Sequence, residues 1–469
     1  MAKELILISK RQFEEMSKVS TNNADNDPKI EERVQTEASA AEEGGKVDVQ
    51  SKSTLLDNST QTGNGLVFSE NNTGVLNGPP AVQQNKTKAM TIVNSHNDWD
   101  PLEEIIIGVS DFWCVPNEEP GFKPPQRSGK RSDEHIDKAA IQMDNLERVL
   151  TSQCNVTVRR PEKIDFTQPA KTPFFSLAHQ HGASCPRDTL LVIGNEIMET
   201  TMSRRARYFE SMAYRKIMND YFEKDKEMLW TMVPKPTMAD AMYNVDFPWD
   251  INCQERKQWI RNYKYQINET EPLFDAAEVL RLGKDLIVQQ STTANKKGIE
   301  WLRRHVKSRG YRVHEIHFPD DLYPIHIDST LAPLVPPTKE RKGILVNCPE
   351  RPIAKEDKER IFEGSNWEII DAPPPNTMTV PDLCMSSAWL SMNMLLVGPD
   401  RAVVEETEIP TINFLESLGI KCIRVPYRDC YRFGGGLHCH TLDVRRRGEC
   451  YNYFPNMDSN ENHIADTHA

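Results

Sequence analysis

The chain has 469 residues, 38% of them hydrophobic, with 57 Lys+Arg against 69 Asp+Glu and a net charge of −12. That length leaves room for several domains or for one large domain with a tail, and the low apolar fraction predicts a segment that does not fold. The acidic balance argues against a nucleic-acid binder, and no apolar run approaches the roughly 20 residues of a membrane helix.

The N-terminus has a short apolar run, Leu5 to Ile8, soon followed by Glu14 and Glu15. It is too short for a secretory signal and too acidic for a transit peptide, so the expected compartment is the cytoplasm. The ten cysteines form no CxxC or CxxxC pair, which suits free thiols in a reducing compartment better than a disulfide framework or a zinc module. Residues 19–90 are rich in Ser, Thr, Asn, Gln, Gly, Glu and Asp and lack Trp and Tyr. Such a stretch buries too little apolar surface to offset its ordering entropy. Residues 1–90 are therefore read as a disordered extension and residues 91–469 as the folded domain.

Within that domain one unit recurs: strand, turn, strand, amphipathic helix, strand. The clearest copy has strands at 189–193 and 196–200 around Gly194-Asn195, a helix carrying Ala206, Phe209, Ala213 and Ile217, and a strand at 228–233. The Gly-Asn pair reads as a hairpin turn. A second copy pairs 278–282 with 285–289, places Ile299, Leu302 and Val306 on one helix face, and ends in a strand at 311–318. A third has strands at 394–397 and 402–405, a helix at 412–418 and a strand at 422–425. Two looser copies use 104–109, 137–150 and 155–159, and 329–335, 343–347, 357–363 and 367–371. Five units at roughly 60–80 residue spacing predict an α/β propeller of repeated ββαβ modules, with the last stretch returning to the first unit.

The first strands of such a ring line a central channel, and polar residues at their edges would converge there. Those edges carry Asp188, Asp275, His326 with Asp328, Ser386-Ser387 and, on the closing stretch Gly434-Gly435-Gly436-Leu437-His438-Cys439-His440, a cysteine. Consecutive glycines let the backbone bend and approach a ligand, and a thiol beside such a bend can serve as nucleophile. Several carboxylates around a thiol fit guanidinium, a permanent cation whose planar fork matches carboxylates. Neighbouring acids raise a thiol's pKa, so thiolate formation would need an imidazolium or the arriving cation. On strand alternation His438 and His440 share one face, away from Cys439, and read as packing.

From about His96 to Arg447 the sequence resembles the amidinotransferase family, most of all its glycine-using branch. The motifs are Pro-Arg-Asp-x-Leu with Gly-Asn-Glu-Ile (186–197), Pro-Lys-Pro-Thr-Met-Ala-Asp (234–240), Phe-Asp-Ala-Ala (274–277), Gly-Ile-Glu-Trp (298–301), His-Ile-Asp (326–328), Met-Ser-Ser-x-Trp-Leu-Ser-Met-Asn (385–393) and Gly-Gly-Gly-x-His-Cys (434–439). The resemblance implies a five-bladed pentein-type α/β propeller that moves the amidino group of L-arginine to glycine or another small amine and releases ornithine. It implies Cys439 as nucleophile, His326 as acid/base and Asp275 as the carboxylate that binds guanidinium and orients the histidine. Asp188 and Asp328 match residues that contact arginine, while Arg351, Ser386 and Ser387 match residues that hold its amino-acid end. It further implies a homodimer, a reaction without metal or organic cofactor and, from the animal members, a mitochondrial setting.

The loop before the histidine departs from the animal pattern: Tyr323-Pro324-Ile325 stands where Asn-Pro-Met is usual. Since that loop borders the acceptor pocket in the family, Tyr323 and Ile325 put glycine in question. Two alternatives remain open on sequence: a hydrolase of the arginine deiminase or dimethylargininase kind, in which water resolves the adduct, and an inactive propeller serving as a scaffold.

Overall fold

A hairpin followed by a helical crossover to a parallel strand builds four of the five sheets. The computed structural model describes residues 91–124, 128–455 and 457; the reading of residues 1–90 as disordered lies outside them. Among the described residues, five three-stranded sheets carry the architecture. In chain order their strands are β1 (Leu102–Ile107), β2 (Thr157–Arg159), β3 (Leu190–Ile193), β4 (Glu196–Glu199), β5 (Leu229–Met232), β6 (Val279–Leu282), β7 (Asp285–Gln289), β8 (Arg312–Ile316), β9 (Leu331–Val335), β10 (Gly343–Asn347), β11 (Trp367–Asp371), β12 (Leu395–Gly398), β13 (Arg401–Glu405), β14 (Lys421–Val425) and β15 (Thr441–Arg446). The helices of eight residues or more are α1 (Asp133–Cys154), α2 (Arg215–Lys224), α3 (Gln254–Arg261), α4 (Lys296–Lys307), α5 (Lys355–Phe362) and α6 (Ile409–Ser417).

The pairs β3–β4, β6–β7, β9–β10 and β12–β13 are antiparallel, and the third strand of each sheet lies parallel to the second. The first sheet is assembled differently. There β1 is the central strand, parallel to β2, and the inner position is filled from the far end of the chain by antiparallel β15, with Ile107 opposite Thr441.

Helix α1 begins four residues before its expected start because Ser132 caps it, its hydroxyl accepting the His135 N–H at 3.3 Å. Its Ile136, Ala139, Met143 and Leu146 pack against Leu102, Ile105 and Ile107 of β1. Helix α4 is capped by Asn295, which accepts the Gly298 N–H at 2.8 Å. It seats Ile299, Leu302 and Val306 on Val279, Leu286 and Val288. Each such aliphatic side chain contributes about 1.5–3 kcal/mol on burial.

The second unit departs from expectation. Residues 205–207 and 210–214 are 3-10 turns, and the α-helix starts only at Arg215. Helical spacing of Ala206 and Ala213 misleads there, because the backbone turns Arg207 inward to reach Asp188 and Glu210. No described helix is long and apolar enough to cross a membrane.

Candidate active site

Five turns, each immediately preceding the inner strand of its sheet, bring the site together. They carry Asp188 before β3, Asp275 before β6, Asp328 before β9, Asn393 before β12 and Cys439 before β15. Bend and cysteine are coupled at the last of these. Gly434 closes a 3-10 turn at φ 92°, a region L side chains rarely adopt. A Cβ on Gly435 would stand 2.4 Å from Cys439 Cβ, so the backbone can fold over the cysteine only without one.

Asn393 fixes the thiol. Its side-chain oxygen accepts the N–H groups of His438 and Cys439, both at 3.0 Å, and its amide donates to Cys439 Sγ at 3.3 Å. The thiol points its own proton at Asp328 Oδ2, 3.3 Å away. Burial, and then the charges of Asp328 and Asp188, push the Cys439 pKa well above its ordinary value.

His326 stands on the other side. Its Nε2 lies 3.1 Å from Asp275 Oδ2 and its Nδ1 3.5 Å from Asp188 Oδ1. Burial works against its charge, but the Asp188 carboxylate, the Asp275 hydrogen bond and charge, and Glu278 outweigh it and hold the pKa up at about 9. The residue sits at φ 55°, strained for a non-glycine. Its backbone N–H is held by Glu278 Oε1 at 3.1 Å, and that carboxylate also takes the hydroxyls of Ser291 and Thr293. Burial raises the Glu278 carboxyl to about 7. Asp275 is pinned in turn by the Ser203 N–H at 2.7 Å. Burial opposes its charge, yet the His326 contact keeps its pKa below the ordinary carboxylate value.

Asp328 joins this centre to a second cluster. Its Oδ2 also contacts His438 Nδ1 at 2.8 Å, and His438 Nε2 faces Asp98 at 3.7 Å. This corrects the packing reading of His438: residues 437–440 form a turn and the strand starts only at Thr441, so strand alternation does not apply. His440 is different. It is fully buried, contacts the Phe433 carbonyl at 3.2 Å, and is kept neutral by burial with a pKa of about 4.

Arg351 donates to Thr330 and Ser387, each at 3.0 Å. Thr330 follows Asp328 by two residues, so this cation stands on the same wall as the thiol's partner. Ser387 is exposed and Ser386 half-buried. Tyr323 and Ile325, both half-buried, lie on the loop that leads into His326. Sequence reasoning missed Asn393, Glu278, Arg207 and Asp98. Asn393 and Glu278 each stand within or beside a quoted motif, but their roles depend on contacts 46 and 48 residues distant.

Three carboxylate oxygens around this centre, Asp188 Oδ1, Asp328 Oδ1 and Glu278 Oε2, are buried without a hydrogen-bond partner among the described residues. Buried unpaired acceptors are costly. A planar cation with several N–H donors would satisfy oxygens of this kind and lower the thiol's pKa in the same step. Among the described residues there is no cluster of His, Cys, Asp and Glu that could hold a metal ion.

No protein-family model matches the sequence. A mitochondrial glycine amidinotransferase from Danio rerio is 40% identical over 376 residues, spanning 77% of this chain and 85% of its own. An L-arginine:L-lysine amidinotransferase from Pseudomonas savastanoi pv. phaseolicola is 36% identical over 372 residues, 77% of this chain and 96% of its own. Among solved structures, an amidinotransferase of the saxitoxin biosynthetic pathway from Microseira wollei aligns with a TM-score of 0.68 at 35% identity, covering 77% of this chain and 100% of the other. The inosamine-phosphate amidinotransferase of Streptomyces griseus aligns at 0.67 and 32%, covering 78% and 99%. The architecture is accordingly the α/β pentein fold. With identity of this order running through nearly the whole length of its relatives, the chain belongs to the amidinotransferase family.

Proposed function

We propose that the chain transfers the amidino group of L-arginine to a small amine through a covalent adduct on Cys439 and releases ornithine. The observation that carries this reading is the buried thiol beside carboxylates that each keep an oxygen without a hydrogen-bond partner among the described residues, with an acid-paired histidine opposite. Arginine's guanidinium satisfies Asp188 and Asp328, and its charge offsets theirs, so the thiol ionises on binding and its proton passes to solvent. Arg351 and Ser387 take the α-carboxylate, with Ser386 beside them.

The thiolate adds to the guanidinium carbon to give a neutral tetrahedral adduct, and the carboxylates stabilise the positive charge it gains when the departing nitrogen is protonated. His326, protonated at neutral pH, gives its proton to the departing nitrogen as the C–N bond breaks. Ornithine leaves and a cationic amidino thioether remains on Cys439. A neutral acceptor amine then adds, loses a proton to His326 and expels the thiolate, so imidazolium and thiolate are both restored. Asp275 orients the imidazole through both half-reactions.

In the same proposal the five sheets are the blades of a five-bladed propeller spanning residues 91–469, the protein is a cytoplasmic homodimer, and neither metal nor organic cofactor takes part. The relatives' names give glycine, lysine and inosamine phosphate as partners of those enzymes, and glycine or another small amine is the acceptor class for this one. Incubation with arginine and a panel of amines, with products identified by mass, tests the reading. Ornithine with one new guanidino compound supports it, whereas citrulline from arginine alone would replace it with a hydrolase.

A further inference from the structure

The three acids around the thiol are not held alike. Asp275 accepts the Ser203 N–H at 2.7 Å, and Asp188 accepts the Arg207 guanidinium at 2.7 Å. Among the described residues the carboxylate of Asp328 meets two hydrogen-bond donors only. They are the Cys439 thiol at 3.3 Å and His438 Nδ1 at 2.8 Å, both on Oδ2. A thiol is a weak donor, and this one is lost when Cys439 ionises. His438 is left as the hydrogen bond that can hold the acid while arginine reacts.

Packing does not hold it instead. A narrow cavity between the inner strands β6, β9 and β12 borders Asp98, Asp328 and His438. Its other walls are apolar, Leu280, Leu331 and Leu396 among them, and offer the carboxylate no donor. On that side Asp328 is not wedged in place as a close-packed side chain is. Burial works against its charge, and the hydrogen bond and charge of His438 lead the contacts that keep its pKa below the ordinary carboxylate value.

His438 is itself firmly placed. Its backbone N–H goes to Asn393 Oδ1 at 3.0 Å, and its carbonyl takes Arg187 Nε at 2.9 Å. An ionised oxygen 2.8 Å from Nδ1 puts the ring's proton on that nitrogen. On the far side of the ring Nε2 faces Asp98 Oδ2 at 3.7 Å, and Asp98 is anchored by Arg281. The ring is thus aimed from three directions at one oxygen of Asp328.

Building on the transfer reaction proposed above, we infer that His438 is the positioning residue of Asp328. Its Nδ1–H fixes Oδ2 beside the thiol and so presents Oδ1, which has no hydrogen-bond partner among the described residues, to the guanidinium of arginine. Without that donor the carboxylate can turn or take up a proton. Either change weakens the grip on the cation whose charge ionises Cys439, so the loss falls on the first half-reaction. His438 serves the neighbouring cysteine through an acid 110 residues away, and does so by one ring nitrogen.

The test measures single-turnover ornithine release from arginine by the full chain, with folding followed by melting temperature. H438A should lower kcat/KM for arginine about 10- to 100-fold, the worth of one hydrogen bond to a charged group. H438N, whose amide nitrogen can stand where Nδ1 stood, should recover most of that loss. H438Q, whose amide reaches to the place of Nε2, should stay as slow as H438A. A space-filling role would follow side-chain volume and favour Gln over Asn, so the order of these two variants separates the readings even if H438A misfolds. H438A as fast as the wild type, or folded H438N no faster than H438Q, overturns the inference and leaves the transferase standing. A wild-type chain that releases no ornithine from arginine with any acceptor overturns the transferase reading itself.

Discussion

Two ionic clusters meet at Asp328, and they are built on opposite terms. On one side Asp443, fully buried, receives Arg187, Arg281, Arg446 and Ser95, all within 2.7–3.0 Å. Asp98 faces Arg281 and His438. Burial works against both carboxylates, but the arginines outweigh it and hold both below the ordinary carboxylate range. On the other side Asp188, Asp328 and Glu278 each keep one buried oxygen without a hydrogen-bond partner among the described residues. A matched ionic cluster in a protein interior is architecture, whereas a mismatched one is poised for a ligand. Similar charges at similar depth therefore do different work.

The comparison can be broken from the reactive side first. Cys439→Ala should lower transfer at least about 10⁴-fold with the melting temperature unchanged; retained activity would end the covalent scheme. His326→Asn should cost about 10²–10⁴-fold in kcat. In the wild type, kcat/KM for arginine should fall as pH rises through about 9, where the imidazolium is lost. The sign follows from a folded pKa above the ordinary 6.5: the ion pairs of His326 stabilise the fold fully below the unfolded value and cease to do so above about 9. Asp275→Asn should move that limb to lower pH, and a limb that stays in place would separate the histidine from it.

The matched cluster should respond in stability instead. Asp443→Asn leaves buried arginines short of a counter-charge and is expected to cost about 3–5 kcal/mol of unfolding free energy, read by chemical denaturation. Asn393→Ala falls between the two classes. It frees two buried N–H groups and the thiol's donor, for a loss of about 1–3 kcal/mol in stability together with slower ornithine release. The smallest effect is expected from Ser387→Ala, which removes one exposed contact to Arg351 and should raise the KM for arginine about two- to tenfold.

The hairpins and helices were legible because they rest on local signals: Gly194-Asn195 and Gly283-Lys284 form two-residue turns, and the apolar face of α4 has helical period. The acids ahead of the inner strands were legible because repetition put them at equivalent places. What stayed hidden depends on contacts across sheets. Nothing local marks Asn393 as the clamp of a cysteine 46 residues later, or Arg207 as the partner that turns a helical pattern into 3-10 turns. Alternation also failed at His438, where a turn takes the place of the expected strand.

The pairing of β15 with β1 joins Thr441 to Ile107, so Cys439 leads into a strand that is synthesised after those of the other four sheets. Pairing at such separation carries a large loop-closure cost and comes late. A nascent chain would expose the three acids and the histidine well before it possessed a thiol aimed at them. Chemical competence would thus come only with β15 and not by increments, and a chain cut short before Gly434 would be inert toward arginine however much of it had folded.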